Sequence, residues 1–151
     1  MNNIKKYLKI VSEGQRALDK IKLLIAIPLS FVIGKDRVKI MVHIANEDGI
    51  FLCSDLYEVF MYRPEREEQL RKYFQIDEGE TFIDVGANIG KYSIFVAKNS
   101  INSRVIAVEP DGRAVRTMRK NIELNSLKNI LIVNKVVTDK VGRVKFFLNE
   151  E

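Results

Sequence analysis

The sequence predicts an α/β fold built on a parallel sheet, and three observations support this prediction. A β-branched run at residues 81–85, typical of a strand buried on both faces, leads into a glycine-containing turn at residues 86–90. A helical segment follows, and a second apolar run at residues 104–108 ends in Glu109. After another helical segment comes a third run at residues 130–133. This alternation of strand and helix is Rossmann-like.

The first 33 residues predict a basic amphipathic helix followed by an apolar segment. Aliphatic residues recur at helical intervals from Ile4 to Ile25. The apolar run 23–33 contains Pro28, is too short to span a bilayer and lacks a signal-peptide cleavage site. We therefore expect a cytoplasmic protein whose first helix packs on the domain. Peripheral membrane contact through residues 1–33 is the alternative.

A β-hairpin and a further helix are predicted before the glycine turn. The runs 38–44 and 49–53 read as two strands, and the Asp48–Gly49 pair between them is a turn signal. Pro64, followed by early acidic residues, predicts a helix that ends near residue 74. We therefore expect two regions. Residues 1–78 hold the N-terminal helix, hairpin and helix, and residues 79–151 hold the α/β domain.

Length and composition fit a globular protein. The chain has 151 residues, of which 46% are hydrophobic and 30% charged, and its net charge is +5. These values are typical of a folded domain with a real core. The single cysteine, Cys53, excludes an intramolecular disulfide. The single histidine, His43, has no cluster of cysteine or histidine near it, so we expect no metal.

Basic residues concentrate between residues 91 and 145, where twelve lysines and arginines face four acidic residues. Arg113, Arg116 and Lys120 recur at helical spacing opposite the apolar positions of the same segment. No aromatic residues interleave with these charges, as they would in many nucleic-acid-binding segments. We therefore interpret them as the solvated face of a helix and do not expect nucleic acid as a partner.

The glycine turn does not match the two common phosphate-binding patterns. A dinucleotide site needs a glycine where this chain has Asn88. A P-loop needs one more residue than Gly86–Lys91 provides, and Tyr92 stands where a magnesium-binding hydroxyl is required. Both of these ligand classes are therefore disfavoured.

S-adenosylmethionine fits the same turn better because it has no phosphate. Asp84, Gly86 and Gly90 form a D-x-G-x-x-x-G pattern, and Glu109 follows 19 residues after Gly90. An acidic residue at the end of the second strand can accept hydrogen bonds from both ribose hydroxyls. The residues therefore favour S-adenosylmethionine as the cofactor.

Three stretches resemble the FkbM family of S-adenosylmethionine-dependent methyltransferases: residues 82–90, 108–110 and 137–142. The resemblance implies methyl transfer to a small-molecule hydroxyl acceptor, such as a sugar. It implies close approach of the cofactor at the glycines, with Asp84 and Asn88 at the methionine end, Glu109 at the ribose and Val136 beside Lys135 at the adenine. The expected cofactor-binding residues are Asp84, Gly86, Ala87, Asn88, Ile89, Gly90, Glu109, Pro110 and Val136. No catalytic base is assigned.

The resemblance also implies an incomplete domain. Methyltransferases of this architecture have a seven-stranded sheet, and this sequence supplies a class I methyltransferase half-sheet of the first three strands. A strand at residues 143–148 is expected to fold back as a hairpin. With strands four to seven missing at the C-terminus, the strand at residues 81–85 would have an open edge. An open edge favours an oligomer or a complementing chain, and such a fragment is expected to be inactive.

Two alternatives stay open. One is an RNA methyltransferase, because Asn121–Asn125 also occurs in tRNA guanine-N1 enzymes and the domain is basic. Against this alternative, those enzymes fill the glycine turn differently. The hairpin region at residues 38–53 is also small for an RNA-binding module. The other alternative is a non-catalytic module that pairs through its open sheet edge.

Overall fold

The computed structural model describes residues 3–35, 37–63 and 69–147. The chain folds as two compact units, Met1–Leu70 and Arg71–Glu151. The helix predicted from Pro64 to residue 74 lies outside the described residues at 64–68, and it is wrong over residues 69–74, which form no α-helix. There the chain forms one short 3₁₀ turn at Arg71–Tyr73.

The first unit places two helices, a hairpin and a short helix in chain order. These elements are α1 Asn3–Ser12, α2 Ala17–Ile33, β1 Lys39–Asn46, β2 Gly49–Asp55 and α3 Leu56–Met61. The predicted hairpin is confirmed, since β1 and β2 pair antiparallel and Asn46 faces Gly49 at the turn. Ile10, Leu23 and Phe51 are fully buried in this unit.

The N-terminal segment differs from its prediction. Instead of one helix followed by an apolar tail, it forms two helices, and the whole apolar run including Pro28 lies inside α2. Backbone hydrogen bonds from Gln15 to His43 and from Ala45 to Glu13 tie the connecting loop to β1. In the described ranges, no helix is both long and apolar enough to cross a membrane.

The second unit confirms the predicted α/β fold. Its elements are β3 Thr81–Val85, α4 Lys91–Asn99, β4 Arg104–Val108, α5 Gly112–Leu124 and β5 Ile130–Val133. The strands form a parallel sheet in the order β3-β4-β5. Helices between strands are what parallel pairing requires, because the chain must cross back to the same edge each time.

Helices α4 and α5 cover one face of this sheet. Val105 and Ala107 of β4 are fully buried there, and Met118 of α5 packs in the same core as Ala107. On the other face, Ile83 and Val85 are 60% and 61% exposed. The expectation that β3 is buried on both faces is therefore wrong for this chain.

The predicted strand at residues 143–148 is also wrong where it can be compared. Residues 143–147 have no regular secondary structure and are exposed, while residue 148 lies outside the described residues. Among the described strands, β3 pairs with β4 alone, so β3 is an edge strand of the three-stranded sheet.

Candidate functional site

Three loops meet at the carboxyl edge of the parallel sheet. Val85, Val108 and Val133 are paired in register at the strand ends, so the residues that follow them emerge side by side. Those residues are the glycine turn at 86–90, the segment at 109–111 and the segment at 134–136. Ligands of open α/β sheets bind outside this edge, and this is where we place the candidate site.

The glycine turn is hydrogen-bonded to the end of β4, and every second residue of the turn has a left-handed backbone conformation. The backbone N–H groups of Gly86 and Ala87 both donate to the carbonyl of Val108, at 2.9 and 3.1 Å. Gly86, Asn88 and Gly90 have φ values of +80°, +50° and +92°. Asparagine tolerates this left-handed conformation better than most residues do, which explains a non-glycine at position 88.

The two glycines have different reasons for lacking a side chain. A Cβ on Gly86 would meet nothing within 4 Å, so this glycine leaves open space at the sheet edge. A Cβ on Gly90 would lie 2.8 Å from Cγ of Met118. Gly90 therefore allows α4 and α5 to pack closely, whereas the role of Gly86 in close approach of the cofactor stays a prediction.

Glu109 joins the glycine turn to the start of α5. Its side chain is only 8% exposed. One carboxylate oxygen, Oε2, accepts from the backbone N–H of Asn88 at 2.8 Å. The other, Oε1, accepts from the backbone N–H of Asp111 at 2.9 Å. The carboxylate thus fixes two neighbouring loops in place.

Asp84 serves as the cap of α4. Its Oδ2 accepts from the backbone N–H of Ser93 at 3.1 Å and from the Ser93 hydroxyl at 2.7 Å. The N-cap residue of α4 is Gly90, which has no side chain to do this. Burial raises the pKa of Asp84. The Ser93 hydrogen bonds oppose that shift, and the charge of Glu109 adds to it.

Two asparagines that the sequence reasoning did not assign also hold the site. Asn121 is fully buried, and its Nδ2 donates to the carbonyl of Ile89 at 3.0 Å. Asn134 Nδ2 donates to the carbonyls of Glu109 and Pro110, at 2.7 and 3.0 Å. Asn121 had a detectable signal, since it is a polar residue on the otherwise apolar side of α5. Asn134 had none beyond its place after β5.

The remaining predicted residues divide between core and edge. Ala87 and Ile89 are buried, and Ala87 packs with Ala107 and Met118. Pro110 and Val136 are half-buried in the loops at the same edge. The structure therefore brings the predicted residues from 84 to 110 into one hydrogen-bonded arrangement. The role of Val136 beside the adenine stays a prediction.

No other chemical centre emerges from the described ranges. No group of histidine, cysteine or carboxylate side chains there is arranged to hold a metal ion. Burial is the main cause that raises the pKa of the Cys53 thiol, which suits a packed cysteine and not a nucleophile. A cavity of about 800 Å³ lies at the amino edge of the sheet, opposite the candidate site, and Arg104 and Lys128 are among its lining residues.

A parallel sheet with a glycine turn after its first strand and a buried acidic residue after its second is typical of the Rossmann-like class of S-adenosylmethionine-dependent methyltransferases. Residues 43–147 match the family described as the TRM5/TYW2 methyltransferase domain. The chain belongs to this family.

Two curated proteins show the similarity at the sequence level. The tRNA (guanine(37)-N(1))-methyltransferase Trm5b of Pyrococcus abyssi is 29% identical over 107 residues, which cover 65% of this chain and 32% of the relative. The tRNA(Phe) (4-demethylwyosine(37)-C(7)) aminocarboxypropyltransferase of Methanocaldococcus jannaschii is 32% identical over 88 residues, or 58% and 35% of the two chains. The chain thus spans about a third of the length of these relatives.

Solved structures support the fold. TYW2 of M. jannaschii, described as a complex with AdoMet, is 27% identical with a TM-score of 0.53, covering 63% of this chain and 43% of that one. TYW2 of P. horikoshii, described as a complex with MeSAdo, has a TM-score of 0.57 at 19% identity, covering 74% and 47%. At that identity the second similarity concerns the fold alone.

These comparisons confirm part of the sequence-based interpretation and correct the rest. The methyltransferase class is confirmed by the family, and S-adenosylmethionine as its cofactor agrees with the M. jannaschii complex. The FkbM assignment is wrong. The expected small-molecule hydroxyl acceptor and the expectation that nucleic acid is not a partner are also wrong, because the relatives are tRNA enzymes. The comparisons favour the alternative of an RNA methyltransferase. The motif residues describe the cofactor side of the site and contain no information about the acceptor.

Proposed function

We propose that this chain provides the cofactor-binding part of an enzyme that transfers a methyl group from S-adenosylmethionine to tRNA. The family match over residues 43–147 is the observation on which the proposal mainly rests. Both curated relatives are named for reactions at position 37 of tRNA, which supports the same class of substrate.

The geometry of the sheet edge fits the cofactor. Gly86 leaves open space where the methionine end would enter, and the exposed side chain of Asn88 lies in the same turn. Each carboxylate oxygen of Glu109 accepts one backbone N–H and has further acceptor capacity for a ribose hydroxyl. Asp84 contributes indirectly, by anchoring Ser93 and the start of α4. Val136 would lie beside the adenine.

The role that we propose for the chain's own residues is to position the cofactor. When bound, S-adenosylmethionine supplies a carbon attached to a sulfonium sulfur, which is already activated for displacement. The left-handed turn and the Glu109 carboxylate keep the cofactor pocket in one shape, so little ordering remains to be done on binding.

A second candidate reaction follows from the M. jannaschii relative, whose name specifies aminocarboxypropyl transfer. The same cofactor supplies either group, depending on which carbon attached to the sulfur is attacked. The family description favours methyl transfer, and we propose that reaction first.

Two labelled forms of the cofactor separate these reactions. The full chain is incubated with a tRNA transcript carrying guanosine at position 37, or with tRNA(Phe) carrying 4-demethylwyosine there. Each tRNA is tested with S-adenosylmethionine labelled in its methyl group or in its carboxyl carbon. Methyl label in the RNA supports the proposal, and carboxyl label supports aminocarboxypropyl transfer. A transcript with adenosine at position 37 is the control for the site.

Isothermal titration of the chain with S-adenosylmethionine tests the cofactor site separately. Binding without label in the RNA would support the cofactor site and would show that this chain by itself does not carry out the transfer. Absence of both would overturn the whole proposal.

A further inference from the structure

The exposed side of α5 is basic. Four cationic residues lie on this side, whereas the opposite side is buried on the sheet. The exposed cations are Arg113, Arg116, Arg119 and Lys120. Glu123 is the single acidic residue of the helix. The helix as a whole therefore has a net charge of +3, from four basic residues and one acidic residue.

Three of these cations are available to a partner. Arg113 is held by Asp111, with Nη2 and Oδ2 3.2 Å apart. Within the described ranges, Arg116, Arg119 and Lys120 have no ion-pair partner. We call these three residues the α5 basic face. Unpaired cations on one side of a helix are suited to a polyanion, because they need not break an existing ion pair to bind it.

The α5 basic face begins close to the candidate site. Helix α5 starts at Gly112, directly after the segment that contains Glu109. Nη1 of Arg116 lies 3.7 Å from where a Cβ of Gly112 would be, so its guanidinium reaches back to the first turn of the helix. Arg116 and Lys120 are separated by a rise of about 6 Å along the helix. The cations therefore extend from the sheet edge along the outer surface.

We propose that the α5 basic face binds the phosphate backbone of the RNA substrate next to the nucleotide that enters the site. This inference rests on the proposed function, because it takes tRNA as the substrate. Arginine and lysine contact phosphates without reading the sequence, and arginine does so with two parallel hydrogen bonds. The lack of interleaved aromatic residues does not argue against this, because aromatics stack on bases, not phosphates.

The salt dependence of RNA binding tests the proposal. Fluorescence anisotropy of a labelled tRNA transcript is measured against salt concentration for the parent chain and for R116Q/R119Q/K120Q. Each phosphate contact with single-stranded RNA contributes about 0.7 to the slope of log K against log salt, so three lost contacts should reduce it by about 2. We expect an affinity loss of more than tenfold at low salt.

A matched control removes the same charge from the other end of the unit. Lys98, Arg104 and Lys128 are exposed near the amino edge of the sheet, so K98Q/R104Q/K128Q loses three charges away from the site. We expect this variant to bind RNA within threefold of the parent. Equal losses in both triple variants would overturn the proposal, because net charge alone would then explain binding.

A substitution that tightens RNA binding is a further test, because a misfolded variant would lose affinity and would not gain it. Glu123→Lys adds a cation to the same side of α5 and should tighten RNA binding and steepen the salt slope. Unchanged binding in this variant and in R116Q/R119Q/K120Q would refute the role of α5 but not the tRNA substrate. If the parent chain itself binds no RNA, the proposed substrate fails, and this inference fails with it.

Discussion

Replacing Glu109 by glutamine tests whether one buried carboxylate holds the site together. Glu109 is 8% exposed and accepts two backbone N–H groups, one on each oxygen. Glutamine keeps the shape but replaces one oxygen with an NH₂ group, so a donor then faces either Asn88 N–H or Asp111 N–H. Hydrogen bonds to charged groups contribute about 1.5–3 kcal/mol, and we expect a loss of that size in the free energy of unfolding.

The same substitution should also weaken binding of the cofactor. S-adenosylmethionine affinity, measured by isothermal titration, should fall at least tenfold, because the turn loosens and the charged acceptor for the ribose is lost. Glu80→Gln is the control. Glu80 is exposed, lies before β3 and accepts one backbone N–H, from Asp77 at 2.8 Å. Glu80→Gln should therefore lower the free energy of unfolding by less than about 0.5 kcal/mol. If urea unfolding gives equal stabilities for Glu109→Gln and the parent, the bracing role is refuted.

Three further predictions concern the residues around the turn. Gly90→Ala should destabilise the fold more than Gly86→Ala in urea unfolding. Both positions have positive φ, but only at Gly90 does the new Cβ overlap Met118, at 2.8 Å; equal losses would refute that reading. Asn121→Ala should cost about 1–3 kcal/mol by leaving the buried Ile89 carbonyl unpaired, and a thermal melt that matches the parent would contradict this. Because the folded pKa of Asp84 is raised, its stabilising contribution is present below the ordinary value of 3.8 and is lost as the pH rises through the folded pKa. The unfolding free energy of the parent should therefore decline relative to Asp84→Asn from pH 3.8 upward, and parallel pH profiles of the two proteins would exclude the effect.

The sequence by itself determined the strand-turn-helix unit, the two strands that follow it and the hairpin at β1 and β2. These elements depend on local patterns: β-branched runs, glycines at positive φ and turn pairs such as Asp48–Gly49. The cofactor class could be predicted for the same reason, because the turn and Glu109 are separated by one helix and their spacing is visible in the chain.

Only the tertiary structure showed what each site residue contacts. Asp84 reaches Ser93 instead of open space, Gly90 faces Met118, and Asn134 holds the backbone of Glu109. These contacts join segments up to about 30 residues apart, so no local pattern records them. The sequence also could not show that only one face of the sheet is covered. An apolar strand has the same sequence pattern whether one face or both faces are packed. The acceptor was misread because a cofactor motif constrains the cofactor alone. Which surface charges are free of an ion pair depends on the folded arrangement, as Arg113 beside Asp111 shows.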